Sequence, residues 1–399
     1  METTTETVVK PPTFFGPVDW LKRNLFSTWL NALLTFLSLW LLYVVLRGAL
    51  TWAFTSANWA PVTHSLKLFA VGQYPLDQMW RLGTIISLIC FLMGVSWRLW
   101  GGTVRTFALA LAVALGAAAL IPVRMDLSLR LWFLANPALV GLGYLTGRVP
   151  AVKSRWVMLG WLLSFVATIL LLSGFKGNSL LPKVATNLWG GLVLTFLLAL
   201  VGIVASFPIG VLLALGRRSS LPVVKAMCVL FIELVRGVPL VTILFMASII
   251  LPLFLPDGLR IDRVLRAMTG MTLFAAAYMA ENIRGGLQAI PRGQEEAAKA
   301  VGLNGFQTMA LIVMPQALRA VIPTIVGQFI ALFMDTTLAV IVGLVELLAI
   351  GKTVLQSRPE WLLLDTEVYL FIAAVFWVFT YSMSYASRQL EAALGVGER

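Results

Sequence analysis

Long apolar runs recur along this chain and constrain its fold more than any other feature. An apolar run of about 18 residues or more, folded as an α-helix, spans the roughly 30 Å hydrocarbon core of a bilayer. Hydrophobic residues make up 59% of the 399 residues and charged residues only 12%, a balance that soluble folds do not show. Because backbone groups in lipid must bond within their own segment, the sequence predicts an all-α integral membrane protein.

Ten apolar stretches are long enough to be transmembrane helices. They lie near residues 26–49, 82–99, 104–122, 130–147, 156–174, 187–215, 223–254, 267–290, 317–349 and 366–388. The runs 223–254 and 317–349 exceed one bilayer thickness, so we expect each to tilt or to extend into water. A more polar stretch near 174–186 separates five spans from five. We therefore expect an N-terminal membrane extension at 1–180 and a second domain at 181–399, which holds the recognisable motifs.

The formal net charge is +12. Nucleic-acid binding would need Lys and Arg gathered on one water-facing surface, but here they mostly flank apolar runs. If ten helices alternate, five basic groups share one side, and the positive-inside rule assigns that side to the cytoplasm together with both termini. These groups are Lys22/Arg23, Arg98/Arg105, Arg148/Lys153/Arg155, Arg217/Arg218 and Arg292/Lys299. Arg124/Arg130 and Arg260/Arg263/Arg266 depart from the pattern.

Residues 291–315 are too polar to span a membrane and too regular for a loose linker. Gly293 to Ala300 predicts a short helix, and Gly302 suits the left-handed backbone that ends a helix. A second short helix is expected to run to Pro315, which forbids a straight continuation into the next span. The segment should therefore form an elbow on the cytoplasmic face.

One surface of this elbow carries small side chains. Ala297, Ala298 and Ala300 would let a partner approach the backbone closely, and Glu296 would add a charged contact at the rim.

The elbow resembles the cytoplasmic signature of the ABC-importer permease family, which reads Glu-Ala-Ala, three residues, Gly, nine residues, Ile-x-Leu-Pro. The matching residues are Glu296-Ala297-Ala298, Gly302, Ile312 and Met314-Pro315. Three further segments look like polar amino-acid permeases, namely Phe231–Leu240, Ala277–Leu287 and Asp335–Leu338. The resemblance covers about residues 184–390. The long N-terminal half, with Trp20 to Leu25 near its start, is similar to the longer permeases of general L-amino-acid uptake systems.

This resemblance implies a permease subunit of an ATP-driven, binding-protein-dependent amino-acid importer in the bacterial inner membrane. Separate ATPase subunits would bind the elbow, through Glu296, Ala297, Ala298, Gly302, Ile312 and Pro315. A second, related permease would complete the pathway as a heterodimer, and an extracytoplasmic binding protein would deliver the amino acid. No metal or cofactor is expected.

The chain itself has no expected ATP site. Gly351-Lys352-Thr353 resembles the end of a phosphate-binding loop, but the glycine required five positions earlier is Glu346. We therefore expect residues 351–353 to form a polar turn on the extracytoplasmic side.

Charged residues within the apolar runs each cost at least about 2.5–3.5 kcal/mol if they have no partner. Glu233 with Arg236, and Glu281 with Arg284, have the i,i+3 spacing of intrahelical pairs. Asp335 has no such neighbour.

A zwitterionic amino acid needs an acceptor for its ammonium and donors for its carboxylate. Asp335, Thr336 and Thr337 could supply these groups, together with Glu281 from the preceding span. The family often has Lys where this chain has Met334.

Two other classes of function stay open at this point. A membrane-embedded enzyme would need clustered His, Asp or Cys, whereas this sequence has one histidine and two cysteines. A passive channel or ion-driven carrier would not copurify with an ATPase.

The charge pattern makes a topological prediction. Positive loops stay in the cytoplasm, so Ser357→Cys and Gln73→Cys should react with a membrane-impermeant thiol reagent in intact cells, and Gln307→Cys should not. Labelling of Gln307→Cys at the level of Ser357→Cys would overturn the orientation.

Overall fold

The computed structural model of the protein describes residues 16–120, 126–256 and 260–395. Within these ranges the ordered elements are helices, and the only β pairing is three isolated single-residue bridges. The predicted all-α class is confirmed. Contacts divide the chain into two compact units, Met1–Ala60 and Pro61–Arg399.

Two helices fill most of the first unit from residue 16 onward, where its description begins. Helix α1 covers Pro17–Asn24, and α2 covers Trp29–Thr51 with a π-helical continuation over Trp52–Ser56. Thr28 caps α2, because its hydroxyl oxygen accepts a hydrogen bond from the Asn31 N–H at 3.2 Å. No residue of α2 is buried. A helix that is apolar on every side and exposed on every side is suited to lipid.

Helices α3 to α8, which all end before residue 174, form the first part of the second unit. They are α3 (Ala60–His64), α4 (Leu66–Val71), α5 (Met79–Trp100), α6 (Gly102–Leu120), α7 (Leu127–Thr146) and α8 (Ser154–Ser173). Helix α5 packs against α6, α7 and α8. Gly94 and Gly143 allow α5 and α7 to approach closely, because a Cβ at either position would clash with the opposite backbone.

The remaining helices follow residue 190. They are α9 (Gly191–Arg217), α10 (Pro222–Arg236), α11 (Leu240–Phe245), α12 (Arg263–Ala289), α13 (Arg292–Ala300), α14 (Gly305–Gln307), α15 (Met314–Asp335), α16 (Leu347–Gln356) and α17 (Asp365–Leu394). Helix α12 is central, since it packs against α9, α10, α11 and α15.

A buried arginine joins α5 to the end of α8 and to the loop that follows α8. The Arg81 guanidinium donates to the carbonyl oxygens of Leu171 at 3.2 Å and Pro182 at 2.8 Å. The Tyr74 hydroxyl donates to the Leu172 carbonyl oxygen at 3.1 Å. The Leu171 and Leu172 carbonyls lie at the C-terminal end of α8, where the helix dipole favours a cation, and Pro182 lies in the loop after it.

Seven described helices are long and apolar enough to cross a membrane, or eight if one bent pair counts as a span. Two further predicted spans correspond to α7 and α12, which are 20 and 27 residues long but are not among these seven. Polar residues explain the difference, because α12 carries Glu281 and two arginines besides its first residue, and α7 carries Arg130 and Asn136. A count of ten therefore stays a prediction.

The two longest predicted spans need correction. The run 223–254 is not one tilted helix, because the chain bends by 107° between α10 and the helix over Leu240–Phe254. The break falls next to Pro239, whose backbone is extended and which has no N–H to continue a helix. The run 317–349 ends early, because a 3-10 turn over Thr336–Val342 stops at Gly343 with φ of +76°.

The expected polar turn at residues 351–353 is also wrong, because these residues lie inside α16. Glu346 starts that helix, and its carboxylate accepts hydrogen bonds from the N–H groups of Leu348 at 2.8 Å and Ala349 at 2.9 Å. Burial raises the pKa of the Glu346 carboxyl to about 7, against the lowering effect of the two N–H donors.

Candidate functional site

The first limb of the elbow is α13, which ends in a Schellman motif. Gly302 has φ of +86°. Its N–H donates to the Lys299 carbonyl oxygen at 3.0 Å, and the Leu303 N–H donates to that of Ala298 at 3.1 Å. These two bonds satisfy carbonyls that a helix end leaves open. The predicted left-handed turn at Gly302 is confirmed.

The second limb begins with a capping box. Asn304 Oδ1 accepts from the Gln307 N–H at 2.9 Å, and Gln307 Oε1 accepts from the Asn304 N–H at 3.0 Å. The N–H groups of Asn304 and Gln307 therefore both have acceptors within the elbow itself.

Pro315 does not turn the chain as predicted. The helix runs without a sharp bend over Gly305–Val342 and includes a π-helical segment at Thr308–Val313 directly before α15. In a regular α-helix the proline ring meets the carbonyl four residues back, whereas the wider π turn leaves room for it. The second limb is thus continuous with the following membrane helix.

The outer surface of α13 only partly matches the prediction. Glu296 and Ala297 are exposed, as expected for a partner contact. Ala298 is only 4% exposed, so its assignment to the partner surface is wrong. Adjacent helix positions differ by roughly 100°, and the face that presents Ala297 turns Ala298 into the protein. Ile312 is half-buried and Pro315 is exposed.

Sequence reasoning missed two residues on the elbow. Val301 is 77% exposed and Phe306 is 81% exposed, and they flank the turn at Gly302. Large apolar side chains on an otherwise polar, water-facing segment indicate a contact surface. The available signal was an apolar residue on each side of the turn glycine.

A cavity of about 630 Å³ opens beside α13. One face of α13 lines it, through Arg292, Glu295, Glu296 and Lys299. The facing wall includes Arg217 and Arg218 at the end of α9 and Arg284 of α12. Arg218 Nη2 lies 3.4 Å from Glu295 Oε1, so an ion pair connects the two walls. With five cations and two carboxylates, the lining is positive and adds a charged face to the elbow.

The charges in the apolar runs pair differently from the prediction. The intrahelical pair is confirmed for Glu281, whose Oε1 accepts from Arg284 Nε at 2.8 Å. It is wrong for Glu233, which pairs instead with Arg217 of α9 at 3.0 Å. Arg236 faces Glu281 Oε2 at 3.6 Å. Neighbouring helices bring Arg217 and Glu281 within reach of α10, so pairing between helices replaces pairing within it.

The candidate substrate residues lie where α15 gives way to the 3-10 turn. Thr336 is fully buried and donates to the Phe333 carbonyl oxygen at 2.7 Å, so it does not face a ligand in this conformation. Thr337 is half-buried and donates to the Met334 carbonyl oxygen at 2.9 Å. Asp335 is half-buried and makes no hydrogen bond that caps the turn.

Glu281 does not join Asp335. Asn282 Nδ2 donates to Gln328 Oε1 at 2.6 Å, which places Glu281 near the level of residue 328 on α15. Asp335 lies roughly 10 Å further along that helix, at 1.5 Å per residue. Asp335 and Thr337 are thus near neighbours in sequence at the end of α15, and Glu281 lies elsewhere.

Comparison with known proteins places these features in a family. Residues 206–396 match the family described as binding-protein-dependent transport system inner membrane component. This range includes the elbow, Glu281 and Asp335.

Relatives match almost the whole chain. The inner membrane amino-acid ABC transporter permease protein YhdY of Escherichia coli is 38% identical over 95% of this chain and 93% of its own length. The glutamate/glutamine/aspartate/asparagine transport system permease protein BztC of Rhodobacter capsulatus is 36% identical over 96% and 95%. The shorter probable glutamine ABC transporter permease protein GlnP of Bacillus subtilis is 36% identical over 51% of this chain and 92% of its own.

Similarity over the full length, with the family match across the elbow, settles the class of protein. Such a permease works with an ATPase, which hydrolyses ATP on a separate subunit, and with a binding protein. The chain belongs to the inner-membrane permease family of binding-protein-dependent amino-acid ABC importers, and it is a permease subunit of such an importer.

Proposed function

We propose that residues 291–315 form the surface that the ATPase subunit binds. The observation that carries this proposal is the exposure of Val301 and Phe306 on either side of the Gly302 turn. Burial of such side chains in a partner's cleft supplies affinity, and exposed Glu296 and Ala297 lie beside them. In this proposal buried Ala298 and half-buried Ile312 hold the elbow in shape, and exposed Pro315 lies at the end of the surface.

The connections of the elbow support a role in coupling. On one side only Ile290 and Pro291 separate α12 from α13, and on the other the second limb continues into the helix over Gly305–Val342. A hydrogen bond from Gln316 Nε2 to Gln294 Oε1, at 3.2 Å, joins the two limbs. A displaced elbow would therefore move α12 and α15 together.

For the substrate we propose a contact with Asp335 and Thr337, with Thr336 fixing the turn from inside. The Asp335 carboxylate is half-buried and does not cap the turn, so it is available to a substrate ammonium. The name of the relative BztC favours amino acids with acid or amide side chains as cargo. Glu281 is left out of this proposal because arginines surround it.

We also propose that a second, different permease completes the pathway. The chain carries one elbow, whereas ABC ATPases of this family work as pairs, so two permease chains are needed. In this proposal residues 181–399 form the permease core and residues 1–180 an added membrane extension. The relative GlnP supports this division, because nearly its whole length matches about half of this chain.

For the topology we propose ten spans with both termini in the cytoplasm. Bridges between Gly72 and Trp189 and between Gly191 and Glu346 place the loops near these residues at one end of the second unit. The elbow lies at the far end of α12 and α15. The elbow end also carries Arg217/Arg218 and Arg292/Lys299, which supports its assignment to the cytoplasm, while Arg260/Arg263/Arg266 at the other end depart from the rule.

The coupling proposal predicts the effect of Gly302→Val. A β-branched residue resists φ of +86°, so the elbow should change shape and uptake should fall by roughly tenfold or more, while membrane insertion is retained. The measurements are amino-acid uptake in cells and ATPase recovered with the tagged permease. Gly141→Val is the matched control, because Gly141 lies inside α7, outside the elbow, and a Cβ there meets open space. Normal ATPase recovery and parental uptake in Gly302→Val would refute the coupling role.

The substrate proposal predicts the effect of Asp335→Asn. This change keeps the size and removes the charge, so uptake per assembled complex should fall by roughly tenfold or more if Asp335 holds an ammonium. Thr337→Val should reduce uptake less, since it removes one neutral hydroxyl. Asp365→Asn, at the exposed start of α17, is the control. Near-parental uptake by Asp335→Asn would show that Asp335 does not contact the substrate.

A further inference from the structure

Five charged side chains form one contact network, which we call the Glu281 cluster. Its members are Arg217, Glu233, Arg236, Glu281 and Arg284. Glu281 Oε2 lies 3.4 Å from Arg217 Nη1 and 3.6 Å from Arg236 Nη1, while Oε1 accepts from Arg284 Nε at 2.8 Å. Arg217 also lies 3.0 Å from Glu233. One carboxylate therefore connects α9, α10 and α12.

The two arginines that α9 and α10 contribute to the cluster lie at the ends of those helices. Arg217 is the last residue of α9, and Arg236 is the last residue of α10, directly before the 107° break. Glu281 lies roughly two turns before the end of α12, and α13 begins three residues after that end, at Arg292. The cluster thus joins the helix that leads into the elbow to the bend that leads into α11.

The charges in the cluster depend on Glu281. Three guanidinium groups face two carboxylates, and the side chains of Glu281, Arg217, Arg236 and Arg284 are 21%, 25%, 31% and 31% exposed. Loss of the Glu281 charge would leave three cations with Glu233 alone. Partly desolvated charges without a partner are costly, so an intact cluster favours one arrangement of the three helices.

We infer that Glu281 is a positioning residue for transport, which holds the ends of α9 and α10 to α12 so that movement of the elbow displaces the bend. The inference rests on the coupling role proposed for the elbow. Both Glu281 oxygens already face guanidinium groups, so a substrate ammonium would have to displace them. Glu281 therefore acts through the helices and does not bind the substrate.

The test uses the complete transporter, with its ATPase and binding protein, reconstituted in liposomes. Amino-acid uptake and ATP hydrolysis are both measured as the amino-acid concentration is raised. In Glu281→Gln the number of amino acids moved per ATP should fall roughly tenfold at saturating amino acid, with the half-saturating concentration unchanged. Glu281→Asp, which keeps the charge, should recover part of this ratio.

Glu360→Gln is the matched control. Its carboxylate pairs with Arg358 at 3.8 Å outside the cluster, with both side chains more than half exposed, so the ratio should stay parental.

Two outcomes would overturn the inference. One is a parental ratio in Glu281→Gln, and the other is a raised half-saturating concentration with a parental ratio at saturation, which would make Glu281 a substrate ligand. If Glu281→Gln does not assemble, the double variant Arg217→Gln/Glu281→Gln removes one excess cation, and a parental ratio in that variant also overturns the inference. Failure of the elbow proposal is seen separately, as parental uptake in Gly302→Val.

Discussion

The left-handed backbone at Gly302 is the constraint on which the candidate coupling site depends. With φ of +86°, it ends α13 and lets the chain turn into the second limb, while the paired hydrogen bonds of the Schellman motif satisfy the helix end. The same turn carries Val301 and Phe306 outward. A residue with a side chain pays for this conformation in strain, so the shape of the elbow and its apolar surface depend on one glycine.

Behind the elbow, polar contacts link neighbouring helices. The Glu281 cluster links three helices, and the Asn282–Gln328 hydrogen bond links α12 to α15 near the same level. Polar groups away from water are costly unless they are paired, so these contacts favour particular arrangements of the helices. Such contacts suit a permease, in which the helices change position as a set.

Much of the elbow could be predicted from the sequence, because its signals are local. Gly302 ends a helix because glycine, which has no Cβ, adopts the left-handed backbone without strain. The matched positions from Glu296 to Pro315 all lie in one short stretch of the chain. The all-α class follows from composition and run length. These features depend on near neighbours in the chain.

Two of the remaining features depend on contacts distant in sequence, and two depend on local backbone geometry that composition does not reveal. Whether Ala298 faces inward is decided by packing of α13, and the partner of Glu233 is decided by where α9 ends. The bend before Leu240 is set by Pro239, within a run that is apolar on both sides of it. The helix continues through Pro315 because a π segment, which has no sequence signature here, accommodates the proline ring.

The composition of the purified assembly tests the central claim most directly. A native mass of the complex extracted from membranes should show this 43.7 kDa chain with two ATPase copies and one different permease chain. A complex of this chain that contains no ATPase, under conditions where a known ABC importer stays assembled, would contradict the account.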